Sequence, residues 1–313
     1  LISVVVCVYN EQDNVEPVMQ QIETALAGLS YEVLFVDDGS RDQTLKRLRQ
    51  LTSPELRIIQ LQRNYGQSAA LAAGIEQARG EFIATMDGDG QNDPADIPAL
   101  VELAQQRGVD LVAGIRQKRQ DGLLLRKVPS RMANWLIRRV SGVQHPDFGC
   151  TLKVFRRELA QSLGIYGEMH RFIPVLADLE GARMLSVPVR HHARVSGQSK
   201  YGINRTLRVM SDLLLVWFLR RYHTRPMQLF GGWGIVSLLV GCLTEGVLLV
   251  EKLAGYDVGG RPLLIAGAVL ILAGLQLISL GLIAEMQLRT YYESQDRKPY
   301  KIRHEYRSAA QRV

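Results

Sequence analysis

The sequence predicts an α/β protein with a mostly parallel sheet, followed by an amphipathic juxtamembrane helix and two transmembrane helices. Three observations predict it. Short β-branched, apolar runs alternate with helix-patterned segments in the first half of the chain. Acidic and polar clusters fall where those runs end. Two long, almost uncharged stretches occupy the last third.

Residues 1–8 form an apolar run suited to a strand buried on both faces, and Tyr9-Asn10-Glu11 breaks it. Val15, Val18, Met19, Ile22 and Leu26 mark a helix that Gly28 ends. Residues 33–36 are a second strand ending at Asp37-Asp38-Gly39-Ser40, and Asp42 can cap the helix carrying Leu45, Leu48 and Leu51. A third strand, 56–61, precedes an alanine-rich helix over 66–78 that Gly80 stops. A fourth strand, 82–86, ends in Asp87-Gly88-Asp89-Gly90-Gln91. Pro94 opens a helix with Ile97, Leu100, Val101 and Leu103, and 111–115 is a fifth strand. His145-Pro146-Asp147-Phe148-Gly149-Cys150 is a turn entering a short strand at 151–155.

Repeated βα units give parallel strands with helices on both faces, and such sheets bind ligands at their carboxyl ends. Tyr9-Asn10-Glu11, Asp37-Asp38, Arg63-Asn64, Asp87-Gly88-Asp89 and Arg116 all fall at those ends. Asp87 and Asp89 are one residue apart on a strand tip, with Gly88 between them to relax the turn. That spacing lets both reach one Mg²⁺ or Mn²⁺, hard ions that take a few carboxylates plus phosphate oxygens. An isolated Asp-Gly turn at the surface is the alternative, and the convergence of five strand ends weighs against it. A GxGxxG after the first strand and a GxxxxGK[ST] are both absent, which disfavours dinucleotide oxidoreductases and P-loop enzymes.

The net charge of +7 suits nucleic acid, anionic lipid or a phosphorylated substrate. No nucleic-acid-binding motif accompanies it, so nucleic acid is not expected as a partner. Cys7, Cys150 and Cys242 are far apart and form no CxxC pair, so neither a zinc site nor a disulfide framework is expected. Residues 1–6 are too short for a secretory leader and run into polar sequence. Arg116 and Arg119 follow a strand end, where guanidinium groups clamp phosphate oxygens. Arg138 and Arg139 read as a solvated helix face. Asp147 is either a general base or a turn-capping carboxylate. The polar stretch from Arg194 through Ser199, Lys200 and Tyr201 either closes over an anion or is a solvated linker, and His191 and His192 read as structural.

Residues 229–250 and 263–284 are each long enough to cross a bilayer, with Glu245 the sole charge in the first and Gln276 the one amide in the second. Glu245 is expected to face protein or to lie near an interface. Basic residues flank the pair on the outside, at Arg220, Arg221 and Arg225 and again at Arg289, Arg297, Lys298, Lys301 and Arg303. That bias puts both termini and the first domain in the cytoplasm. Gly234 and Gly241, and Gly267, Gly274 and Gly281, recur at heptad spacing, a smooth stripe for packing between these helices or between subunits of a homo-oligomer. Ahead of the spans, Leu207, Met210, Leu214, Trp217 and Phe218 share one helical face ringed by arginines, as in an interfacial helix. The divisions are 1–202 catalytic, 203–226 interfacial helix and linker, 227–288 transmembrane, and 289–313 a basic cytoplasmic tail.

Taken together and in order, Val8-Tyr9-Asn10-Glu11, Val36-Asp37-Asp38-Gly39-Ser40, Arg63-Asn64-Tyr65-Gly66-Gln67, Asp87-Gly88-Asp89-Gly90-Gln91, Gly114-Ile115-Arg116-Gln117-Lys118-Arg119, Asp147-Phe148-Gly149-Cys150 and Gly197-Gln198-Ser199-Lys200-Tyr201 resemble the family 2 glycosyltransferases. The resemblance is to the polyprenyl-phosphate branch, most to the bacterial bactoprenol glucosyltransferases, and also to dolichyl-phosphate mannose synthase. It implies a Rossmann-like GT-A fold and a DXD metal motif. Tyr9, Glu11 and Asp37 would line the nucleoside pocket, and Asp87, Asp89 and Gln91 would hold Mg²⁺ or Mn²⁺ on the nucleotide sugar. Arg116, Arg119, Arg194, Ser199 and Lys200 would receive the acceptor phosphate or the leaving diphosphate. Many members carry alanine where Gly88 stands, a change expected to matter little because only backbone is needed there. No Arg-Trp pair occurs, so processive polysaccharide synthesis is disfavoured.

The implied reaction is one-step inverting transfer of a hexose, glucose first, from a UDP-sugar to undecaprenyl phosphate at the inner membrane. Asp89, Asp147 and Arg116 would be its catalytic residues. Alternatives within the branch are mannose from GDP-mannose and a modified aminoarabinose from its UDP donor. Outside it stand a membrane-anchored nucleotide-sugar hydrolase or nucleotidyltransferase, which would need no lipid acceptor, and a non-catalytic lipid-translocating scaffold.

Overall fold

The computed structural model describes residues 1–116, 137–139, 141–165, 169–192 and 226–294, with Trp135, Gly167, Phe218 and Tyr222. The expected interfacial helix and basic tail lie almost wholly outside the described residues, as do Arg119, Arg194, Ser199 and Lys200. The chain forms two compact units, Leu1–Trp217 and Phe218–Val313.

The first unit is built on a seven-stranded sheet of order β3-β2-β1-β4-β6-β5-β7. Its strands are β1 (Ile2–Val8), β2 (Tyr31–Asp37), β3 (Leu56–Gln60), β4 (Phe82–Asp87), β5 (Leu111–Arg116), β6 (Lys153–Arg156) and β7 (Met184–Val189). β1 to β4 pair in parallel, as alternating βα units dictate. β6 enters between β4 and β5 and runs antiparallel to both, so β5 still points the same way as β4. β7 adds in parallel outside β5. The carboxyl ends of β1 to β5 and β7, and the amino end of β6, therefore share one edge.

Helices cover both faces. Val4, Val6, Val8, Val33 and Phe35 join a core with α1 (Val15–Ala25), Leu48 of α2 (Thr44–Gln50) and the buried face of α4 (Ile97–Arg107). The alternate residue Val5 faces α3 (Gln67–Gln77) on the other side. α5 (Arg157–Ser162) and α6 (Ile173–Leu179) follow β6. Val4, Val5 and Val6 are fully buried, which is why β1 reads as a continuous apolar run. Burying each such side chain contributes roughly 1.5–3 kcal/mol. Asp42, expected to cap α2, accepts from the Thr44 N–H at 3.0 Å from one residue ahead of the N-cap, which is Gln43, and the proline-led helix starts as a 3-10 turn, Pro94–Asp96, before α4.

The second unit is a pair of long helices, α7 (Pro226–Leu253) and α8 (Pro262–Ser294). Only 17% and 11% of their most apolar windows are buried within the chain, the pattern of a membrane span and not of a soluble core helix. The glycine stripe is used between these two helices. A Cβ on Gly234 would stand 2.9 Å from the Gly274 carbonyl, and one on Gly241 would stand 2.9 Å from that of Gly267. Ser237 Oγ adds a 2.8 Å hydrogen bond to the Leu270 carbonyl. Glu245 packs over Gly267, with Oε1 buried and unpaired among the described residues.

Gly74 is where α3 meets β1 and β2, because a Cβ there would overlap Val5 Cγ1 and stand 3.0 Å from Val36 Cγ2. Helix propensity alone makes Gly→Ala favourable by about 1 kcal/mol. Overpacking costs about 1–3 kcal/mol. Gly74→Ala is expected to lower the thermal midpoint of the detergent-solubilised chain, and an unchanged or higher midpoint would contradict this packing.

Candidate active site

The shared edge is first stitched together by its loops. Asn10 takes a positive φ of 53°, and its N–H donates to Ser40 Oγ at 2.9 Å while its Oδ1 accepts from the Arg41 N–H at 2.8 Å. The Glu11 N–H donates to Thr44 Oγ1 at 2.9 Å, and the Glu11 carboxylate accepts from Asn14 Nδ2 at 2.6 Å. Tyr9 and Glu11 thus stand at the end of β1 beside the turn that follows β2. Asp38 accepts from the N–H groups of Tyr65 and Gly66 and fixes the entry to α3. Asp37 is fully buried. Its Oδ1 accepts from Ser40 N–H at 3.1 Å, and its Oδ2 has no hydrogen-bond partner among the described residues. A buried acceptor left open costs about 1–3 kcal/mol, so the position is suited to a donor from a ligand or water.

Asp87 and Asp89 stand at the tip of β4. Gln67 Nε2, at the start of α3, donates to Asp87 Oδ1 at 2.6 Å, and Thr151 Oγ1 lies 2.9 Å from Asp87 Oδ2 and from Asn92 Oδ1. Asp89 is buried and accepts from the Gln91 N–H at 3.1 Å. Burial, and then the charge of Asp89, push the Asp87 carboxyl up to about 7, against the pull of Thr151, Lys153 and Arg116. Two carboxylates that repel across one turn suit a divalent cation. Asp87 and Asp89 are a two-carboxylate donor set, and no cluster of three or more acidic, histidine or cysteine ligands occurs among the described residues. That donor set fits Mg²⁺ or Mn²⁺ completed by phosphate oxygens and does not fit a structural zinc. Gln91 gives its carbonyl to the His192 N–H at 2.8 Å. A Cβ on Gly88 would overlap Val8 Cγ1 and stand 3.1 Å from the Cys7 carbonyl. Alanine there, expected to be neutral, would require Val8 to move.

The other half of the site is a two-pronged ion pair. Arg116 Nε and Nη2, at the end of β5, each reach Asp147 at 2.7 Å, and the Arg116 N–H adds a 3.2 Å bond to Asp147 Oδ2. Asp147 is buried. A carboxylate held by both forks of a guanidinium is a poor proton acceptor and a good orienting group. Sequence reasoning placed both residues at the site without pairing them.

Sequence reasoning missed several neighbours. His145 is buried, 2.8 Å from Ser186 Oγ through Nδ1 and 2.8 Å from the Asp147 carbonyl through Nε2. A carbonyl only accepts, so Nε2 carries the proton and Nδ1 accepts from Ser186. Burial, followed by Lys153, pushes His145 down to about 4, which leaves it neutral at pH 7. Lys153 is 1% exposed, and its ammonium donates to the Cys150 carbonyl. Burial lowers its pKa, with Cys150, Asp147 and Asp87 opposing. Asn92, Thr151 and Lys153 lie in no motif, Gln67 and His145 lie in stretches that suggested no role for them, and strand order brings all five to this edge. His191 and His192 stand where the exit of β7 meets the loop after Asp89. Asn92 bridges His191, and His192 and Arg190 reach Asp93 and Asp96, tying the exit of β7 to the loop after Asp89.

Residues 3–164 match the model of glycosyl transferase family 2. The chain is 45% identical to a dodecaprenyl-phosphate galacturonate synthase of Rhizobium johnstonii, over 96% of this chain and 92% of that protein. It is 37% identical to an undecaprenyl-phosphate 4-deoxy-4-formamido-L-arabinose transferase of Klebsiella pneumoniae, over 96% and 92%. Among solved structures, glucosyl-3-phosphoglycerate synthase of Mycobacterium tuberculosis, in complex with Mn²⁺, UDP and glucosyl-3-phosphoglycerate, superposes with a TM-score of 0.55 at 21% identity, over 70% of this chain and 79% of that one. That likeness gives the fold, the GT-A arrangement. With the family model spanning half the chain and relatives matched along nearly its whole length, the chain belongs to the family 2 glycosyltransferases.

Proposed function

We propose that this glycosyltransferase moves a sugar from a nucleoside diphosphate onto a polyprenyl phosphate at the cytoplasmic face of the inner membrane. The observation that carries the reading is the pair Asp87 and Asp89, a two-carboxylate set that fits a cation shared with a diphosphate. The open Asp37 Oδ2 on β2 suits the ring N–H of a uracil, which a UDP donor supplies. The two apolar helices suit an enzyme whose acceptor lies in the bilayer, with both termini cytoplasmic. Relatives named for dodecaprenyl- and undecaprenyl-phosphate products support the acceptor class. They are named for galacturonate and 4-deoxy-4-formamido-L-arabinose, not glucose, and galacturonate, from the more similar of the two, is the sugar placed first here.

In the mechanism, Asp37 orients the base while Tyr9 and Glu11 flank it. Asp87, Asp89 and Gln91 would hold Mg²⁺ or Mn²⁺, ions that also accompany UDP in the mycobacterial enzyme. When bound, that ion neutralises charge developing on the leaving diphosphate. Gln67 and Thr151 fix Asp87, and Asp147 fixes Arg116 beside the reacting groups. The acceptor phosphate is ionised at neutral pH, so its oxygen attacks the anomeric carbon with no strong base. Arg119, Arg194, Ser199 and Lys200 are proposed as its phosphate contacts.

Membranes carrying the protein, given labelled UDP-sugars with Mn²⁺ and polyprenyl phosphate, are expected to form a lipid-linked monosaccharide, with UDP-galacturonate the best donor. Release of free sugar without a lipid product would favour a hydrolase and contradict the reading. Asp89→Ala is expected to lower transfer roughly 100-fold or more, the scale of losing one electrostatic stabiliser. Retention of full activity in that variant would remove the metal assignment. Asp147→Asn is expected to slow transfer about tenfold or more through a displaced Arg116, with a pH–rate profile of unchanged shape. Loss of a titrating limb in that profile would restore Asp147 as a base.

A further inference from the structure

We propose that Lys153 is a positioning residue for sugar transfer. Its ammonium anchors the turn that joins the Asp87 side of the site to the Arg116–Asp147 side. The inference rests on the glycosyl-transfer reading above.

Lys153 opens β6 in the middle of the sheet, in register with Thr85 of β4 and Ala113 of β5. It is among the largest fully buried side chains. A buried ammonium is costly unless it is paired and hydrogen-bonded. Packing alone therefore does not account for a lysine here. What it holds is the Cys150 carbonyl.

That carbonyl closes a short, tightly bonded turn. The Cys150 N–H donates to the Asp147 carbonyl at 3.3 Å, and the Gly149 N–H donates to Asp147 Oδ1 at 3.3 Å. The Arg116 guanidinium lies directly over the turn, since a Cβ on Gly149 would stand 2.7 Å from Arg116 Nη2. One residue beyond Cys150, Thr151 holds Asp87 and its carbonyl accepts from Thr85 Oγ1 at 2.8 Å. The segment from Asp147 to Thr151 is thus a bridge with a reacting-edge contact at each end, and the buried Lys153 ammonium is fastened to it at Cys150. Releasing the Cys150 carbonyl frees the bridge, and displacements of about 1 Å at such a site cost up to roughly 100-fold in rate.

The test uses the purified full chain in detergent with Mn²⁺, a UDP-sugar and polyprenyl phosphate, comparing Lys153→Met, Lys153→Gln, Asp147→Asn and the double variants. Lys153→Met is expected to remain folded at assay temperature, melting below wild type because the Cys150 carbonyl is left open, and to transfer about tenfold or more slowly. Lys153→Gln, whose amide can donate to the Cys150 carbonyl, is expected to recover most of that loss. Adding either Lys153 substitution to Asp147→Asn is expected to slow it by no more than about threefold, because the two act through one turn. Wild-type rate in Lys153→Met, equal loss in Lys153→Gln, or losses that multiply with Asp147→Asn would each overturn the inference. If Lys153→Met does not fold, Lys153→Gln and its double variant decide by the same criteria. A wild-type chain that transfers no sugar to lipid overturns the function reading instead.

Discussion

Two carboxylates, Asp87 and Asp89, share one strand tip, and their charges cannot be accommodated there without compensation. Burial and mutual repulsion hold Asp87 well above the usual carboxylate range. The surroundings of the tip answer that constraint. Gln67 and Thr151 donate to Asp87, the backbone of Gln91 donates to Asp89, and Lys153 sits buried in the strand alongside. In the proposed function, a divalent cation and the diphosphate that shares it complete that compensation.

The insertion of β6 between β4 and β5 is what makes the edge chemically complete. Because β6 runs backwards, its amino end meets the carboxyl ends of its neighbours. One short segment then delivers Asp147 to Arg116, Thr151 to Asp87, and Lys153 to the turn between them.

Much of this was legible in the sequence. β1 to β5 were readable because each is a local apolar run ending in polar residues, and Asp87 and Asp89 because their spacing is itself the motif. β7 and the short helices α5 and α6 were not, since Met184–Val189 contains a proline and both helices are under three turns long. The Arg116–Asp147 pair spans 31 positions, and Gln67 reaches Asp87 across 20. Such contacts are set by strand order, which local pattern does not encode. Gly88 shows the same limit, because its neighbour Val8 is set by the pairing of β1 with β4. The heptad glycines left two partners open, and the structure shows them serving the contact between α7 and α8.

The central claim is that the protein holds only part of a cation site and the nucleotide completes it. Mn²⁺ binding to the purified chain, followed by electron paramagnetic resonance with and without UDP, tests it most directly. The account predicts weak binding of Mn²⁺ alone and much tighter binding with UDP, lost in Asp89→Ala. Equal Mn²⁺ affinity with and without UDP would contradict it.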